Sequence, residues 1–206
     1  DYAAMIKAAL ALHAATLDIA YVRDAAVLAA TLRRHHWDDS SPGYFLPADD
    51  AEALIVRPRS ATDEATPSAN SLMAANLVRL WRLTGEESYR ADADAIIAAA
   101  PIGANLFAAT AMLSALDLRL GATDVVIVRP RGASDSGLLD VVRRHWSPNI
   151  VLGLHEDATG LSDSHPAAGK TAVSGQPTAY VCRGETCSLP VTAPEDLAAL
   201  LVEGAR

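Results

Sequence analysis

The sequence predicts a mainly helical chain, in which antiparallel helical hairpins are followed by a small α/β subdomain. Half of the residues are apolar but only 5% are aromatic, so alanine, leucine and valine must fill the core. Alanine favours helices because it loses no side-chain entropy there. Apolar residues recur at helical spacing up to Gly121, where a continuous apolar run of the buried parallel-strand type follows. We therefore expect a helical part over 1–120 and an α/β subdomain over 121–206.

Five helices are expected in the first part, and their short connections predict antiparallel neighbours. Their predicted ranges are 1–19, 21–36, 69–83, 87–100 and 104–120. Ser68 has the side chain of an N-cap for the third helix. Between the second and third helices, two short apolar runs predict an inserted β-hairpin near 43–57.

The second part alternates strands and helices. Its predicted elements are a strand at 124–128, a helix at 136–146, a strand at 149–154, a strand at 178–182 and a helix at 194–202. The first three form one βαβ unit. A loop rich in Gly, Ser, Pro and Asp is expected over 155–177.

The charge and composition of the chain exclude several classes of partner. A net charge of −8 argues against nucleic acid and anionic membranes, since both require a basic surface. No apolar run reaches the ~18 residues that span a bilayer, and Asp1 opens no signal-peptide pattern. The loop at 132–137 lacks the glycine and lysine pattern of phosphate-binding loops, so no cofactor is expected. The plain expectation is a cytoplasmic protein.

Several segments, taken together and in order, resemble one family. They are Asp1–Ala3, Ala53–Arg59, Asp63–Ser71, Arg79–Gly85, Ala179–Cys187 and Pro190–Glu195. The family is that of thioredoxin-domain-containing proteins related to spermatogenesis-associated protein twenty. One departure from its pattern is Glu64, where the family often has a small residue.

The resemblance implies an architecture and a set of partners. Members have an N-terminal thioredoxin-like domain followed by an (α/α)-toroid like those of six-hairpin glycosidases and sugar epimerases. This chain then corresponds to the C-terminal part of a bacterial-type protein, with residues 1–120 forming part of the toroid. Five helices of such a toroid leave an apolar flank, and exposed patches of that kind usually mark an interface. The expected partners are the thioredoxin-like domain and missing hairpins of the same protein, or a second copy of the chain.

The best catalytic candidates are Asp63 and Glu64, in the loop before the third helix. In a toroid, such loops converge on the mouth, and sugar chemistry generally needs two carboxyl groups. Asp1 or Asp38 is the candidate for the second carboxyl group. The alternative is that Asp63 and Ser68 only organise the turn and cap the helix.

Candidate substrate-binding residues surround the same loop. They are Asp1, Tyr2, Trp37, Arg57, Ser68 and Asn70. Tyr2 and Trp37, with Tyr44 and Phe45, can form an aromatic platform for a sugar ring, or can simply pack in the core. Arg57 and Arg59 can bind a carboxylate or phosphate, or can pair with nearby surface acids.

The histidines and cysteines have simpler interpretations. His35 and His36 point about 100° apart on a helix, which makes a shared metal ion unfavourable, and no metal site is expected. Cys182 and Cys187 are redox or structural candidates. A disulfide is sterically possible, but a reducing cytosol favours inert thiols. A redox motif would normally be Cys-x-x-Cys at a helix N-terminus.

Two functions of different classes remain. The first is carbohydrate binding or carbohydrate chemistry at the toroid mouth, with a small sugar as ligand. The second is a non-catalytic scaffold or partner-binding module that serves the thioredoxin-like domain, with Cys182 and Cys187 as its substrates or relays.

Overall fold

A computed structural model describes residues 1–60, 62–135, 137–145, 147–156, 158 and 161–203. This part of the chain contains seven α-helices, two short 3₁₀ helices and four β-strands. The predicted mainly helical chain with a small α/β part is therefore confirmed. Two compact units are present, the first made of Asp1–Trp81 with Glu86–Arg119 and the second of Arg82–Gly85 with Leu120–Arg206.

Helices build the first unit, and two of them end inside the second. They are α1 (Tyr2–Thr16), α2 (Ala20–His36), α3 (Ala69–Thr84), α4 (Glu87–Ala99) and α5 (Thr110–Gly121). The predicted α1–α2 hairpin is present, and α1 ends where Leu17 turns into the left-handed region at a φ of 62°. Among the described helices, none combines the length and apolarity needed to cross a bilayer.

Polar contacts join the helices of the first unit. The Asn76 side chain of α3 donates to the Ala3 carbonyl of α1 over 2.8 Å. Arg119 of α5 holds both carboxylate oxygens of Asp94 in α4, at 2.6 and 2.8 Å. Because a bidentate guanidinium–carboxylate pair fixes orientation as well as distance, it sets the approach of α5 to α4.

The fifth helix begins later than the sequence predicts. Ile102–Ala104 and Leu106–Ala109 form 3₁₀ turns, and α5 begins only at Thr110. Asn105 accounts for the difference, because its side chain accepts the Phe107 N–H over 3.1 Å and offers the backbone a local alternative to the helix.

The β-hairpin predicted near 43–57 is wrong, since none of these residues lies in a strand and only an isolated bridge joins Trp37 to Tyr44. The last carbonyls of an α-helix lack partners inside the helix. The Phe45 N–H donates to the His36 carbonyl over 2.8 Å, and the Asp49 N–H donates to the His35 carbonyl over 2.8 Å. The donors expected to build a sheet therefore cap α2 instead.

The second unit contains a four-stranded mixed sheet in the order β2-β1-β3-β4. Its elements are β1 (Thr123–Val128), α6 (Leu138–Arg144), β2 (Ile150–His155), β3 (Thr178–Arg183), β4 (Thr186–Cys187) and α7 (Pro194–Glu203). β1 and β2 are parallel, which confirms the βαβ unit, while β3 is antiparallel to β1. Of the predicted helix 136–146 and loop 155–177, positions 136, 146, 157, 159 and 160 lie outside the described residues.

The loop that precedes β3 is fixed to the end of α3 by residues of the second unit. The His165 ring donates to the Leu83 carbonyl over 3.0 Å, and the Ser164 hydroxyl donates to the Gly85 carbonyl over 2.6 Å. Gly85 has a φ of +72°, and a Cβ there would lie 2.8 Å from the His165 backbone. Only glycine combines this conformation with so close an approach.

Candidate functional site

The long connection between α2 and α3 contains most of the predicted site residues. It runs from Trp37 to Ser68, and its described residues form no helix and no strand beyond the bridge at Trp37. Connections of this length inside compact units are uncommon and are often functional. The contacts of its side chains show what each of them is able to do.

Asp63 is held by hydrogen bonds on both carboxylate oxygens. One oxygen accepts the Ser68 N–H over 2.9 Å, and the other accepts the Ala111 N–H over 2.7 Å and the Thr110 hydroxyl over 3.2 Å. Burial alone raises the pKa of Asp63, but these hydrogen bonds outweigh it and lower the pKa below its ordinary value. The ionised carboxylate therefore ties together the starts of α3 and α5, which favours the capping role.

Ser68 and Asn70 also bond within the protein. The Ser68 hydroxyl accepts the Ser71 N–H over 3.0 Å, which confirms Ser68 as the N-cap of α3. The Asn70 side chain accepts the Tyr44 N–H over 2.7 Å and donates to the carbonyls of Tyr44 and Ser60. Both side chains are buried, so their polar atoms hold the connection against α3.

Two arginines organise the rest of the connection. Arg59 donates to the Asp38 carboxylate over 3.1 Å and to the Ser41 carbonyl over 2.7 Å. Arg57 donates to the carbonyls of His35 and Pro47 over 3.1 and 2.9 Å. Asp38 is therefore paired with a guanidinium group. Neither Asp1 nor Asp38, the predicted second carboxyl groups, is among the hydrogen-bond partners of Asp63.

The four aromatic residues predicted to form a platform have different contact partners. The Trp37 ring meets Tyr44 edge-on with ring centroids 5.1 Å apart, while Tyr2 meets the His36 ring at 5.8 Å. Arg57 lies over Phe45, 4.3 Å from its centroid. Tyr44 is 2% exposed, whereas Tyr2 remains 38% exposed. Tyr2 is thus the member of the set most available to a ligand.

A polar cluster that the sequence did not reveal lies beside Tyr44. The Tyr44 hydroxyl is buried and makes no hydrogen bond to any described residue. Arg33 of α2 pairs with Asp92 of α4 over 2.9 Å and stacks on Trp37 at 4.2 Å. Burial raises the pKa of Tyr44, and the Asp92 carboxylate adds to that effect. These residues lie on α2, α4 and the connection, so no local spacing could have identified them.

The end of α2 has a second unpredicted cluster. The His35 Nδ1 atom lies 2.9 Å from an Asp49 oxygen and 3.6 Å from an Asp50 oxygen. The hydrogen bond from His35 is the main cause that lowers the pKa of Asp49. The adjacent His36 instead bonds through Nδ1 to the Phe45 carbonyl over 3.1 Å. The two histidines thus have separate partners, as expected from their helical spacing.

In the second unit, a buried ion pair joins the end of α3 to β1. Arg82 donates to Asp124 over 3.1 Å, and both side chains are almost fully buried. The other Asp124 oxygen makes no hydrogen bond to a described residue. Burial raises the pKa of Asp124 to about 6, although the positive charges of Arg82 and Lys170 act in the opposite direction. The pair is a structural feature, and the raised pKa of the Asp124 carboxyl group can be tested through the pH dependence of stability.

Cys182 and Cys187 form a disulfide, so the expectation of inert thiols is wrong. The two residues lie opposite each other in the antiparallel pair of β3 and β4, which a two-residue turn at Gly184 connects. The expectation rested on the redox compartment, whereas the strand register decides the geometry. Cys182 is buried and Cys187 is exposed.

The outer face of α1 is an exposed apolar surface. We define it as Met5, Ala8, Leu12 and Ala15, which recur at the spacing of one helical face and are all exposed. Met5 is 59% exposed and Leu12 is 46% exposed. A helix that is apolar on every side is typically buried.

The chain is similar to animal proteins along nearly its whole length. It is 31% identical to human spermatogenesis-associated protein 20 over 214 residues, which cover 98% of the chain and 27% of that protein. It is 28% identical to an uncharacterised protein of Caenorhabditis elegans over 204 residues, covering 96% of the chain and 27% of that protein. The rat spermatogenesis-associated protein 20 is 28% identical, with 98% of the chain and 26% of that protein covered.

These relatives are eukaryotic, which does not fit the expected bacterial type. The chain spans about a quarter of the length of the curated relatives it matches. No protein-family model matches the chain. The thioredoxin-like domain and the toroid stay predictions, whereas the resemblance itself is confirmed: homologues of this chain are named spermatogenesis-associated protein 20, at about 30% identity over nearly all of its residues.

Proposed function

We propose that the chain is a non-catalytic packing module of a longer protein, in which the outer face of α1 binds another helix. The observation that carries this proposal is the exposure of Met5 and Leu12 on one face of α1, where every exposed residue of that face is apolar. Ala8 lies between them and Ala15 follows Leu12, and these small side chains allow a second helix to approach closely. Burying one side chain such as leucine contributes about 1.5–3 kcal/mol.

The internal bonding of the predicted catalytic residues supports this proposal. Asp63 uses both oxygens as a cap, Ser68 caps α3, and Asn70 holds the Tyr44 backbone. A general acid must release a proton near its working pH, and a carboxyl group with a lowered pKa is poorly suited to that role. In the proposed assembly, the helices that cover α1 belong to an (α/α)-toroid, and a thioredoxin-like domain of the same polypeptide is the functional partner.

Glutamate substitutions on α1 test the proposal. Leu12→Glu and Met5→Glu should leave the melting temperature of this chain nearly unchanged, since both positions are exposed. In the longer protein, each should lower the unfolding free energy by about 2 kcal/mol or more, because a carboxylate would then be buried.

The matched control is Val27→Glu on α2. The Val27 side chain is also apolar and 66% exposed, but it does not belong to the outer face of α1. This variant should be neutral in both proteins. If Leu12→Glu is equally neutral in the longer protein, the outer face of α1 does not bind a helix and the proposal fails. Sedimentation of the isolated chain shows whether a second copy covers the same face.

A second candidate function is sugar binding at the start of α1, and the exposed Tyr2 ring beside His36 favours it. Half-exposed aromatic rings with a polar tip suit contact with a sugar. Asp1 and the exposed carboxyl group of Glu64 would supply polar contacts, and Asp63, ionised because its pKa is lowered, would act as a base. The test is a melting-temperature shift across free and phosphorylated mono- and disaccharides, measured on the parent, Tyr2→Ala and Asp63→Ala. A shift that Tyr2→Ala retains would argue against this site.

A further inference from the structure

We propose that His35, Asp49 and Asp50 form a site for a divalent transition-metal ion at the C-terminal end of α2. The three ligand atoms, one imidazole nitrogen and two carboxylate oxygens, lie within 4.8 Å of one another. This inference is independent of the packing role, because it concerns a small cation bound at the end of α2 and uses none of the residues of the outer face of α1.

The spacing of the three atoms fits metal coordination. Zinc–nitrogen and zinc–oxygen bonds are about 2.0–2.2 Å long, so neighbouring ligands around one ion lie roughly 3.0–3.5 Å apart. The His35 Nδ1 atom is 2.9 Å from the Asp49 oxygen and 3.6 Å from the Asp50 oxygen. These two separations are close to those around a bound ion, and the two carboxylate oxygens, which lie within 4.8 Å of each other, would complete the set after a small rotation of the exposed Asp50 side chain.

The backbone positions of the ligands are set by contacts that do not involve their side chains. The Asp49 N–H donates to the His35 carbonyl over 2.8 Å. Arg57 donates to the same carbonyl and to that of Pro47, which joins the end of α2 to the turn that carries the two aspartates. Because these bonds leave all three ligand atoms available, little conformational entropy is lost when an ion binds.

The charges of the cluster also favour a cation. Two adjacent carboxylates repel each other, and the His35 Nδ1 atom lies close to one oxygen of each. A divalent ion bound through Nδ1 would take the place of the hydrogen bond between His35 and Asp49. One nitrogen and two oxygens suit zinc or manganese rather than calcium, which prefers oxygen ligands only.

The positive charge of Arg57 nearby and the solvent exposure of both aspartates weaken the attraction. Water must also fill the remaining coordination positions. We therefore expect a dissociation constant in the micromolar range for Zn²⁺, with Mn²⁺ binding more weakly in the order expected for divalent metals.

The test is calorimetric titration of the chelator-treated chain with ZnCl₂, performed without reductant so that Cys182 and Cys187 remain paired. The parent should bind one Zn²⁺ ion at this site. His35→Gln and Asp50→Asn should each weaken binding by about tenfold or more, since each removes a ligand. Asp50 is the more exposed aspartate, so its variant should fold normally, and the melting temperature verifies this.

The matched control is His145→Gln, which removes another histidine that is not part of the cluster. It should leave the dissociation constant unchanged. Absence of Zn²⁺ binding by the parent would overturn the proposal. Equal affinity in the parent and His35→Gln would overturn it too, because the ion would then be bound by other residues.

Discussion

Replacing Asp124 with asparagine should remove a large part of the pH dependence of the second unit. The Asp124 carboxyl group is 3% exposed and pairs with Arg82. Burial raises its pKa to about 6 from an ordinary 3.8. In the unfolded chain the ordinary value applies, so the folded state holds the proton more tightly. The unfolding free energy therefore falls as the pH rises from about 4 to about 7.

The size of this effect follows from the two pKa values. A difference of about two between them corresponds to about 3 kcal/mol, lost once both states are ionised. Roughly 2 kcal/mol of this loss should appear between pH 4 and pH 7, because part of it has already occurred at pH 4. Asparagine cannot ionise, so the variant should lack this contribution.

Native-state hydrogen exchange of the β1 amides, measured from pH 4 to pH 7, reports the stability of the second unit. Urea unfolding followed by circular dichroism provides the unfolding free energy of the whole chain. The control is Asp163→Asn, which removes an exposed carboxylate of the same unit and should leave the slope unchanged. Identical slopes in the parent and Asp124→Asn would mean that Asp124 titrates normally, and the reasoning from its burial would be refuted.

Three further substitutions or treatments test other contacts. Asp63→Ala should lower the unfolding free energy by about 1–3 kcal/mol at pH 7, because two helix starts lose their acceptor; an unchanged urea midpoint would contradict the capping role. Reduction of the Cys182–Cys187 disulfide should lower stability by about 2 kcal/mol, as expected for so short a closed loop. A thiol assay on the native chain should find no free cysteine, and two titrating thiols would disprove the disulfide. Gly85→Ala should cost about 2 kcal/mol or more, since its φ and the His165 backbone both exclude a side chain; a thermal melt equal to that of the parent would contradict this.

The elements that the sequence predicted well are those governed by local periodicity or local caps. The apolar run of β1 and the Ser68 cap of α3 are examples, because each depends on residues close in the chain. The predicted β-hairpin failed for the opposite reason. Its two apolar runs are present, but the Phe45 N–H in the first run donates to the otherwise unpaired His36 carbonyl instead of joining a strand ladder.

The candidate site was less accessible to prediction than the fold. Asp63 was predicted as a catalytic residue, with a capping role stated as the alternative from its residue type alone, and its hydrogen bonds favour the cap. Its second partner, the Ala111 N–H, lies 48 positions further along the chain. The cluster of His35 and Asp49 likewise joins a helix end to a turn 14 positions away. Neither contact follows from spacing, because both depend on how the connection folds back.

The strand order of the second unit has a consequence for the sequence of folding events. β1 pairs with β2, whose register starts 27 residues later at Ile150, and also with β3, whose partner residue Arg183 lies 60 residues away. Closing the longer loop costs only about 0.7 kcal/mol more than closing the shorter one. Rates nevertheless fall as contacts become less local. We therefore expect the helical hairpins to form early and the complete sheet to form only when β3 pairs with β1. Until then, one edge of β1 stays unpaired.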